Sequence, residues 1–147
     1  KILEYENITL SGKHVVVIGR SNIVGRPISI LTSLKKENSN ATTTLCHSAT
    51  LDMKRFTKQA DVMIAALGRP NHITGDMLKP GAVVIDVGIN RVNADNEKGY
   101  KLVGDVKWES IQGIASAATP VPGGIGPMTI AMLVEDTVEA AEYSQRR

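Results

Sequence analysis

Aromatic residues and an excess of either charge are both scarce in this chain of 147 residues. Aromatic side chains make up 3% of it, and 17 Lys and Arg against 15 Asp and Glu leave a formal net charge of +2. Proteins that bind nucleic acids rely on stacking platforms for bases and on concentrated positive charge for phosphates. The composition therefore argues against nucleic-acid binding. The apolar content of 42% suits a globular domain with a real core.

Cysteine and long apolar runs are scarce as well. Cys46 is the single cysteine, which excludes an internal disulfide and a multi-cysteine zinc site. The histidines His14, His47 and His72 lie on separate predicted elements without the i, i+4 spacing of a metal site, so we expect no metal. No run approaches the roughly 20 apolar residues of a membrane-spanning helix. We expect no membrane partner and a cytoplasmic location, although the same features are compatible with an organelle.

Short apolar runs alternate with helical patterns along the chain. The run 14–18 is β-branched and ends at Gly19, as is typical of a strand buried on both faces. Repeated strand–helix–strand units favour an α/β domain of Rossmann-like type, with a mostly parallel sheet and helices on both faces. The pattern predicts strands at 14–18, 41–46, 62–66 and 82–87, helices at 25–34, 51–60, 108–114 and 127–143, a helical turn at 74–78 and a small hairpin between 89 and 103.

The first predicted strand ends in the segment GRSNIVGRP, residues 19–27. A glycine turn between a buried strand and a helix exposes backbone N–H groups beside the positive end of the helix dipole, which suits a phosphate. Gly19 and Gly25 stand six positions apart, unlike the common G-x-G-x-x-G pattern. The pattern by itself is equally compatible with an anion site and with a plain strand–helix turn.

The end of the second predicted strand bears on the choice of cofactor. NAD-binding folds commonly place an acidic residue there, which accepts a hydrogen bond from the ribose 2′-hydroxyl. The segment LCHSAT, residues 45–50, contains no acid, and the first one is Asp52. A 2′-phosphate would be stabilised by Ser48, His47 and Arg20, the last reaching across from the glycine turn. The residues favour NADP over NAD, and the alternative is a strand end without a ligand.

The segment PVPGGIGP, residues 120–127, is the least generic part of the sequence. Its prolines fix φ, and its glycines permit conformations that other residues avoid. Such a loop is stiff and exposes backbone N–H groups, which suits a wall against a flat ring. Because a connector without a ligand needs no such density of constraints, we favour a function for it. Asp86, at the end of the fourth predicted strand, is interpreted as a cap of the following turn, although a functional role there is equally compatible with its position.

Four segments that occur in a fixed order resemble one family: GRSNIVGRP (19–27), DVGIN (86–90), VGDV (103–106) and PVPGGIGPMT (120–129). They closely resemble the bifunctional methylenetetrahydrofolate dehydrogenase/methenyltetrahydrofolate cyclohydrolase family. The resemblance covers nearly the whole chain from Ser11 onwards. It implies the NAD(P)-binding domain of a two-domain enzyme that transfers a hydride from methylenetetrahydrofolate to NADP and then hydrolyses the methenyl product.

The resemblance also implies a domain division, partners and roles for single residues. Residues 1–12 would be a linker from an N-terminal catalytic domain, and residues 13–147 the Rossmann-like NAD(P)-binding domain. A homodimer is implied, with a folate substrate shared between the two domains. Arg20 and Ser48 would take the 2′-phosphate. The other implied contacts are Gly19 and Ser21 at the pyrophosphate and adenosine side, Ile89, Gly126 and Thr129 near the nicotinamide, and Pro122, Gly123 and Gly124 facing the folate.

The sequence departs from the family pattern in one important respect. The family's catalytic Tyr-x-x-x-Lys motif is missing, since none of Tyr5, Tyr100 and Tyr143 has a lysine four positions on. We therefore expect no catalytic residue in this chain, weak cofactor binding and no measurable turnover. A non-catalytic dinucleotide-binding and dimerisation module of the same fold is the alternative, and a degenerate upstream motif would indicate it. A dehydrogenase of another substrate fits the proline–glycine loop poorly.

Overall fold

Strands and helices alternate along the chain as the apolar pattern predicts. The computed structural model describes residues 1–146. Its helices are α1 (Ile2–Tyr5), α2 (Gly25–Ser33), α3 (Met53–Thr57), α4 (Trp108–Ile111) and α5 (Ile125–Gln145), with one 3-10 turn at Gly75–Met77. Its strands are β1 (His14–Ile18), β2 (Thr42–Cys46), β3 (Val62–Ala65), β4 (Val83–Asp86), β5 (Asn90–Asn93), β6 (Tyr100–Val103) and β7 (Ala117–Ala118).

Five strands form a parallel sheet in the order β2-β1-β3-β4-β7, and β5 and β6 form a separate antiparallel hairpin. The chain moves outward from β1 to β2 and then returns to place β3 on the other side of β1. The direction of winding therefore changes between β1 and β3. In open parallel sheets, ligands bind outside the carboxyl ends of the strands at such a switch point. The predicted α/β class and mostly parallel sheet are confirmed.

The two faces of the sheet are covered by different helices. Alternate strand residues point to opposite faces, which divides the buried side chains of β1, β3 and β4 into two clusters. The first cluster packs against side chains of α3, the 3-10 turn and the segment after α4, and the second against α1, α2 and the start of α5. The strand residues are Val16, Ile18, Met63, Ala65 and Val84 in the first cluster, and Val15, Val17, Val62, Ile64 and Ile85 in the second.

Two predicted helices are shorter in the structure, and one strand is new. The helix predicted at 51–60 begins at Met53, because Asp52 adopts a left-handed conformation with φ 48°. The helix predicted at 108–114 ends at Ile111, because Gln112 is extended. The unpredicted strand β7 consists of Ala117 and Ala118, which lack the β-branched side chains that mark a strand in sequence.

The two ends of the described chain differ in how far their side chains are buried. In the segment 1–12, Ile2 and Leu3 pack against the second cluster and Leu10 is buried. The division of the chain at residue 12 stays a prediction. Helix α5 contains no buried residue, and its large apolar side chains Ile130, Leu133, Val134 and Val138 are exposed. Within residues 1–146, no helix combines the length and apolar character needed to cross a membrane.

Candidate functional site

The glycine turn after β1 lies at the switch point of the sheet and is packed too tightly for side chains. Gly19 has φ +118°, and a Cβ there would lie 2.1 Å from the carbonyl oxygen of Ala66, just after β3. A Cβ on Gly25 would lie 1.8 Å from the carbonyl oxygen of Gly19. Both positions therefore require glycine. Because Gly19 and Gly25 stand six positions apart and both lack a side chain, the start of α2 packs directly against the end of β1.

The same turn contains backbone donors at the carboxyl ends of the strands, in the region beside the switch point that forms the crevice. The Ser21 hydroxyl oxygen accepts the N–H groups of Val24 and Gly25 at 3.1 and 3.3 Å and so stabilises the first turn of α2. Over residues 1–146, no backbone or side-chain acceptor takes up the N–H groups of residues 20–23. These donors, together with the dipole of α2, fit a pyrophosphate.

Arg20 and Ser48 are brought to the same edge of the sheet by the pairing of β1 with β2. Ile18 is in register with Cys46, and the N–H group of Gly19 donates to the carbonyl oxygen of Cys46 at 2.9 Å. Both Arg20 and Ser48 are exposed. An arginine and a serine hydroxyl at neighbouring strand ends are the donor set that a phosphate monoester binds.

Ser48 lies in a turn that its neighbours stabilise. The N–H group of Thr50 donates to the carbonyl oxygen of His47 at 2.8 Å, and the N–H group of His47 donates to the Thr50 hydroxyl at 2.9 Å. The N–H group of Ala49 donates to Nδ1 of His47 at 3.2 Å, so this ring nitrogen is an acceptor. No carboxylate follows β2 before Asp52, which leaves the turn free of negative charge.

Asp105 is a fully buried carboxylate at the carboxyl edge of the sheet. Its two oxygens accept the N–H groups of three consecutive residues after β3, Leu67 at 2.5 Å and Gly68 and Arg69 at 2.9 Å each. They also accept the side-chain amide of Asn90 at 2.9 Å. The carboxylate therefore connects the loop after β3 to the start of β5, just beyond the loop after β4.

Asp86 is a second buried carboxylate, adjacent to the first. It accepts the N–H groups of Gly88 at 2.9 Å, Asp105 at 3.1 Å and Val106 at 2.9 Å. The interpretation of Asp86 as a cap of the following turn is confirmed. Burial raises the pKa of Asp86, while the three N–H donors act to lower it. A Cβ on Gly104 would lie 1.9 Å from Asp86 Oδ2, so glycine is required beside the carboxylate.

Ile89 extends from this network towards the start of α5. Its side chain is 60% exposed, although Asp86, three positions earlier, is buried. A Cβ on Gly126 would lie 3.9 Å from Ile89 Cδ1, so the two residues are neighbours. Thr129 is exposed one turn further along α5, where its hydroxyl donates to the carbonyl oxygen of Ile125 at 2.8 Å. The structure thus brings together Ile89 and Gly126, two of the three residues for which the family resemblance implies a contact near the nicotinamide.

The proline–glycine loop borders an apolar cavity of about 680 Å³ between α1, β4, β7 and the start of α5. Gly123 and Gly124 line it, and Pro122 is exposed beside them. A Cβ on Gly124 would lie 2.5 Å from the carbonyl oxygen of Pro120, so the loop folds closely upon itself there. Of the three residues for which the family resemblance implies a contact with the folate, Gly123 and Gly124 therefore line a cavity, and Pro122 precedes them directly.

Several reactive residue types lie outside the crevice or are buried. His14 Nε2 is 2.9 Å from the hydroxyl of Thr44, which gives it a structural role at the start of β1. His72 is exposed in the loop after β3. Cys46 is buried, and burial raises the pKa of its thiol, which makes it unreactive. Across residues 1–146, no three His, Cys, Asp or Glu side chains are grouped as metal ligands.

The residue pattern by itself does not indicate the role of Asp105. Its motif, VGDV, is visible in the sequence, but its partners at residues 67–69 lie 36 to 38 positions upstream. The signal that could have found it is an aspartate following a glycine at a strand end, close to a second aspartate at the end of a buried strand. Such residues accept backbone N–H groups from neighbouring loops.

A parallel sheet with a glycine turn at its switch point, and with phosphate-binding side chains at the adjacent strand end, defines a dinucleotide-binding α/β domain. Residues 1–145 match the sequence family described as the tetrahydrofolate dehydrogenase/cyclohydrolase, NAD(P)-binding domain. The chain belongs to this family.

Individual relatives agree with this assignment. The bifunctional protein FolD of Chlorobium phaeobacteroides is 57% identical over 141 residues, which cover 95% of this chain and 48% of the relative. The crystal structure of the FolD enzyme of Campylobacter jejuni has a TM-score of 0.87 at 48% identity and covers 97% of this chain and 48% of that one. The Trypanosoma brucei enzyme, in complex with NADP and an inhibitor, has a TM-score of 0.90 at 38% identity, covering 99% of this chain and 49% of that one. This chain spans about half the length of these proteins.

Proposed function

We propose that this chain is the NADP-binding part of a bifunctional methylenetetrahydrofolate dehydrogenase/methenyltetrahydrofolate cyclohydrolase. In the complete protein, methylenetetrahydrofolate would transfer a hydride to NADP, and the methenyl product would then be hydrolysed to formyltetrahydrofolate. When bound, the nicotinamide ring supplies the hydride acceptor. The residues of this chain would bind and orient the cofactor, and their main contribution to rate would be positioning.

The arrangement at the ends of β1 and β2 carries the proposal. Arg20 and Ser48 are exposed just after the neighbouring strands β1 and β2, and the turn after β2 has no carboxylate before Asp52. The N–H groups of residues 20–23, which are unpaired within the described chain and lie beside the start of α2, would donate to the pyrophosphate. A 2′-phosphate at Arg20 and Ser48 and a pyrophosphate on the glycine turn would therefore lie at the same edge of the sheet.

The remaining assignments extend this site along the crevice. Three residues would contact the nicotinamide end of the cofactor: Ile89, Gly126 and Thr129. Ile89 is a neighbour of Gly126, and Thr129 lies one helical turn beyond Gly126 in α5, which supports this placement. The folate would approach the loop of Pro122, Gly123 and Gly124, which borders the apolar cavity.

The catalytic lysine and tyrosine would lie in the first domain of the complete protein, and turnover by this chain alone is therefore not expected. A homodimer and a cytoplasmic location complete the proposal. The dimer rests on the family resemblance. The location is supported by the single, unpaired and buried cysteine, which suits a reducing compartment.

Calorimetric titration of the chain with NADP and with NAD at one fixed, moderate ionic strength tests the cofactor assignment. We expect tighter binding of NADP. The variant Ser48→Asp should weaken NADP binding by at least about tenfold, because a carboxylate would then face the 2′-phosphate at short range. Its affinity for NAD, which has no phosphate there, should change by less than about twofold, since no like charge is opposed.

The matched control is Ser144→Asp, which adds the same charge at an exposed position near the end of α5. It should leave both affinities unchanged. Equal losses for NADP and NAD in Ser48→Asp would contradict the role of Ser48, and tighter NAD binding by the unmodified chain would contradict the choice of NADP. Failure of both cofactors to bind would refute cofactor binding by this chain.

A further inference from the structure

We propose that Asp105 is a positioning residue for the nicotinamide end of the cofactor site and acts through Asn90 on the exposed side chain of Ile89. The inference rests on the proposed function, since it concerns the cofactor that this function requires. Asp105 is itself fully buried and has no surface to offer a ligand. Any effect on cofactor binding must therefore pass through the residues that it holds.

The first step of the argument is a closed ring of hydrogen bonds around the segment 86–90. Gly88 donates its N–H group to Asp86 Oδ1 at 2.9 Å, and the side-chain amide of Asn90 donates to Asp105 Oδ1 at 2.9 Å. The N–H group of Asp105 donates to Asp86 Oδ1 at 3.1 Å and so closes the ring. Ile89 is the residue between the two anchored neighbours. Its backbone is held on both sides while its side chain remains exposed.

The second step is that the same carboxylate also fixes the opposite side of the crevice. Asp105 accepts the N–H groups of the three residues 67–69, which follow Ala66 directly. Ala66 in turn is the residue against which Gly19 is packed at the switch point. The buried side chain of Asp105 therefore sets the distance between two parts of the crevice. One is the side where the glycine turn packs, and the other is the loop that carries Ile89.

The third step concerns the chemistry of the carboxylate. An ionised carboxylate is an acceptor only, and all four donors that surround Asp105 are N–H groups. An asparagine of the same shape would direct an NH2 group at some of these donors. The donors would then be unpaired or would move, and the loops after β3 and β4 would lose their fixed separation. The side chains proposed for the adenosine half, Arg20 and Ser48, follow β1 and β2, and the pairing of these two strands does not involve Asp105.

The ligand pair NADP and 2′,5′-ADP separates a positioning role from a merely stabilising one. The second ligand contains the adenosine and the 2′-phosphate but lacks the nicotinamide. We expect Asp105→Asn to weaken NADP binding by about tenfold, the effect of disturbing a few hydrogen bonds to one charged group. Binding of 2′,5′-ADP should change by less than about twofold, because its contacts are not disturbed. Both dissociation constants are measured by calorimetry, with circular dichroism as the check of folding.

Asp61→Asn is the matched control. Asp61 also accepts a backbone N–H group, that of His14 at 2.9 Å, but it precedes β3 and lies at the opposite, amino edge of the sheet. The variant Asp61→Asn should not change the ratio of the NADP affinity to the 2′,5′-ADP affinity. If Asp105→Asn does not fold, Asn90→Ala removes a single contact to the same carboxylate and should shift the ratio in the same direction by a smaller factor.

The outcomes separate the inference from the proposed function. Selective loss of NADP affinity in Asp105→Asn or in Asn90→Ala supports the inference. Equal losses for the two ligands, or no loss in a folded variant, overturn it and leave the cofactor site standing. If the unmodified chain binds neither NADP nor 2′,5′-ADP, the proposed function fails and the inference fails with it.

Discussion

At the scale of single residues, carboxylates that accept backbone N–H groups are found at both edges of the sheet. At the carboxyl edge, burial raises the pKa of Asp86. At the amino edge, the hydrogen bond from the N–H group of His14 and the ion pair with Lys79 lower the pKa of Asp61. Acid therefore affects the two sites in opposite directions. The folded state disfavours protonation of Asp61, whereas it favours protonation of Asp86.

The contribution of Asp61 to stability should disappear in acid. Because its pKa is lowered on folding, the stabilisation is present above the unfolded pKa and is lost as the pH falls through the folded value. Above pH 5 we expect Asp61→Asn to lower the free energy of unfolding by about 1 kcal/mol, with the difference shrinking below about pH 4. Urea denaturation between pH 2.5 and 6 measures this.

The control for this measurement is Asp136→Asn, an exposed position on α5. It should change the free energy of unfolding by less than about 0.5 kcal/mol. A difference between the unmodified chain and Asp61→Asn that is constant from pH 2.5 to 6 would show that the loss is one of packing and not of charge.

At the scale of elements, the strands and α5 use similar apolar residues in different ways. Every residue of β3 is buried, whereas α5 has none that is buried. Helix α5 contacts the rest of the described chain mainly through its first turns, where Ile125 packs against the second cluster and Met128 lines the cavity. Helical periodicity shows which residues share a face, but it does not show what covers that face.

The same substitution at two isoleucines should therefore have very different consequences. Ile64 in β3 is 3% exposed, and Ile130 in α5 is 67% exposed. We expect Ile64→Ala to lower the free energy of unfolding by about 2–5 kcal/mol, because it removes buried methyl groups and leaves a cavity. Ile130→Ala should change it by less than about 0.5 kcal/mol. Losses of similar size in the two variants would show that the exposed stripe of α5 is covered in solution.

At the scale of the whole molecule, Cys46 reports on opening of the sheet. Its thiol is buried at the end of β2, an edge strand of the sheet, and it is the only thiol in the sequence. The side chain belongs to the first cluster, against which α3 packs, so access of a reagent requires α3 to separate from the sheet or the whole domain to unfold. A ligand that binds only the folded state suppresses both kinds of opening if they destroy its site.

We expect the reaction of Cys46 with a thiol reagent to be slow in the native chain and to slow further with cofactor. At a free NADP concentration 100 times the dissociation constant, the rate should fall by about 100-fold, since the open state is then disfavoured by about 2.7 kcal/mol. The rates are followed by absorbance with and without NADP. At urea concentrations above the midpoint of the NADP-bound chain, where both samples are unfolded, the two rates should coincide. An unchanged rate in the native chain under saturating NADP would indicate a route to the thiol that leaves the cofactor site intact.

Much of the candidate site could be predicted because its residues are close together in sequence. Gly19, Arg20 and Gly25 share one turn, and Ser48 follows the next strand, so the pairing of successive parallel strands was enough to place them at one edge. The network of Asp105 could not be predicted from the residue pattern, because its donors come from two other loops. Which loop meets which carboxylate depends on the packing of the complete sheet.

The sequence by itself determined the alternation of strands and helices, the α/β class and the position of the glycine turn, because these depend on periodicity and on local backbone preferences. The tertiary structure alone decided the short strand β7, the ring of hydrogen bonds at Asp86 and Asp105, and the exposure of α5. Each of these depends on contacts between segments that are far apart in the chain. Such contacts are set by the order of strands in the sheet, to which local sequence patterns are insensitive.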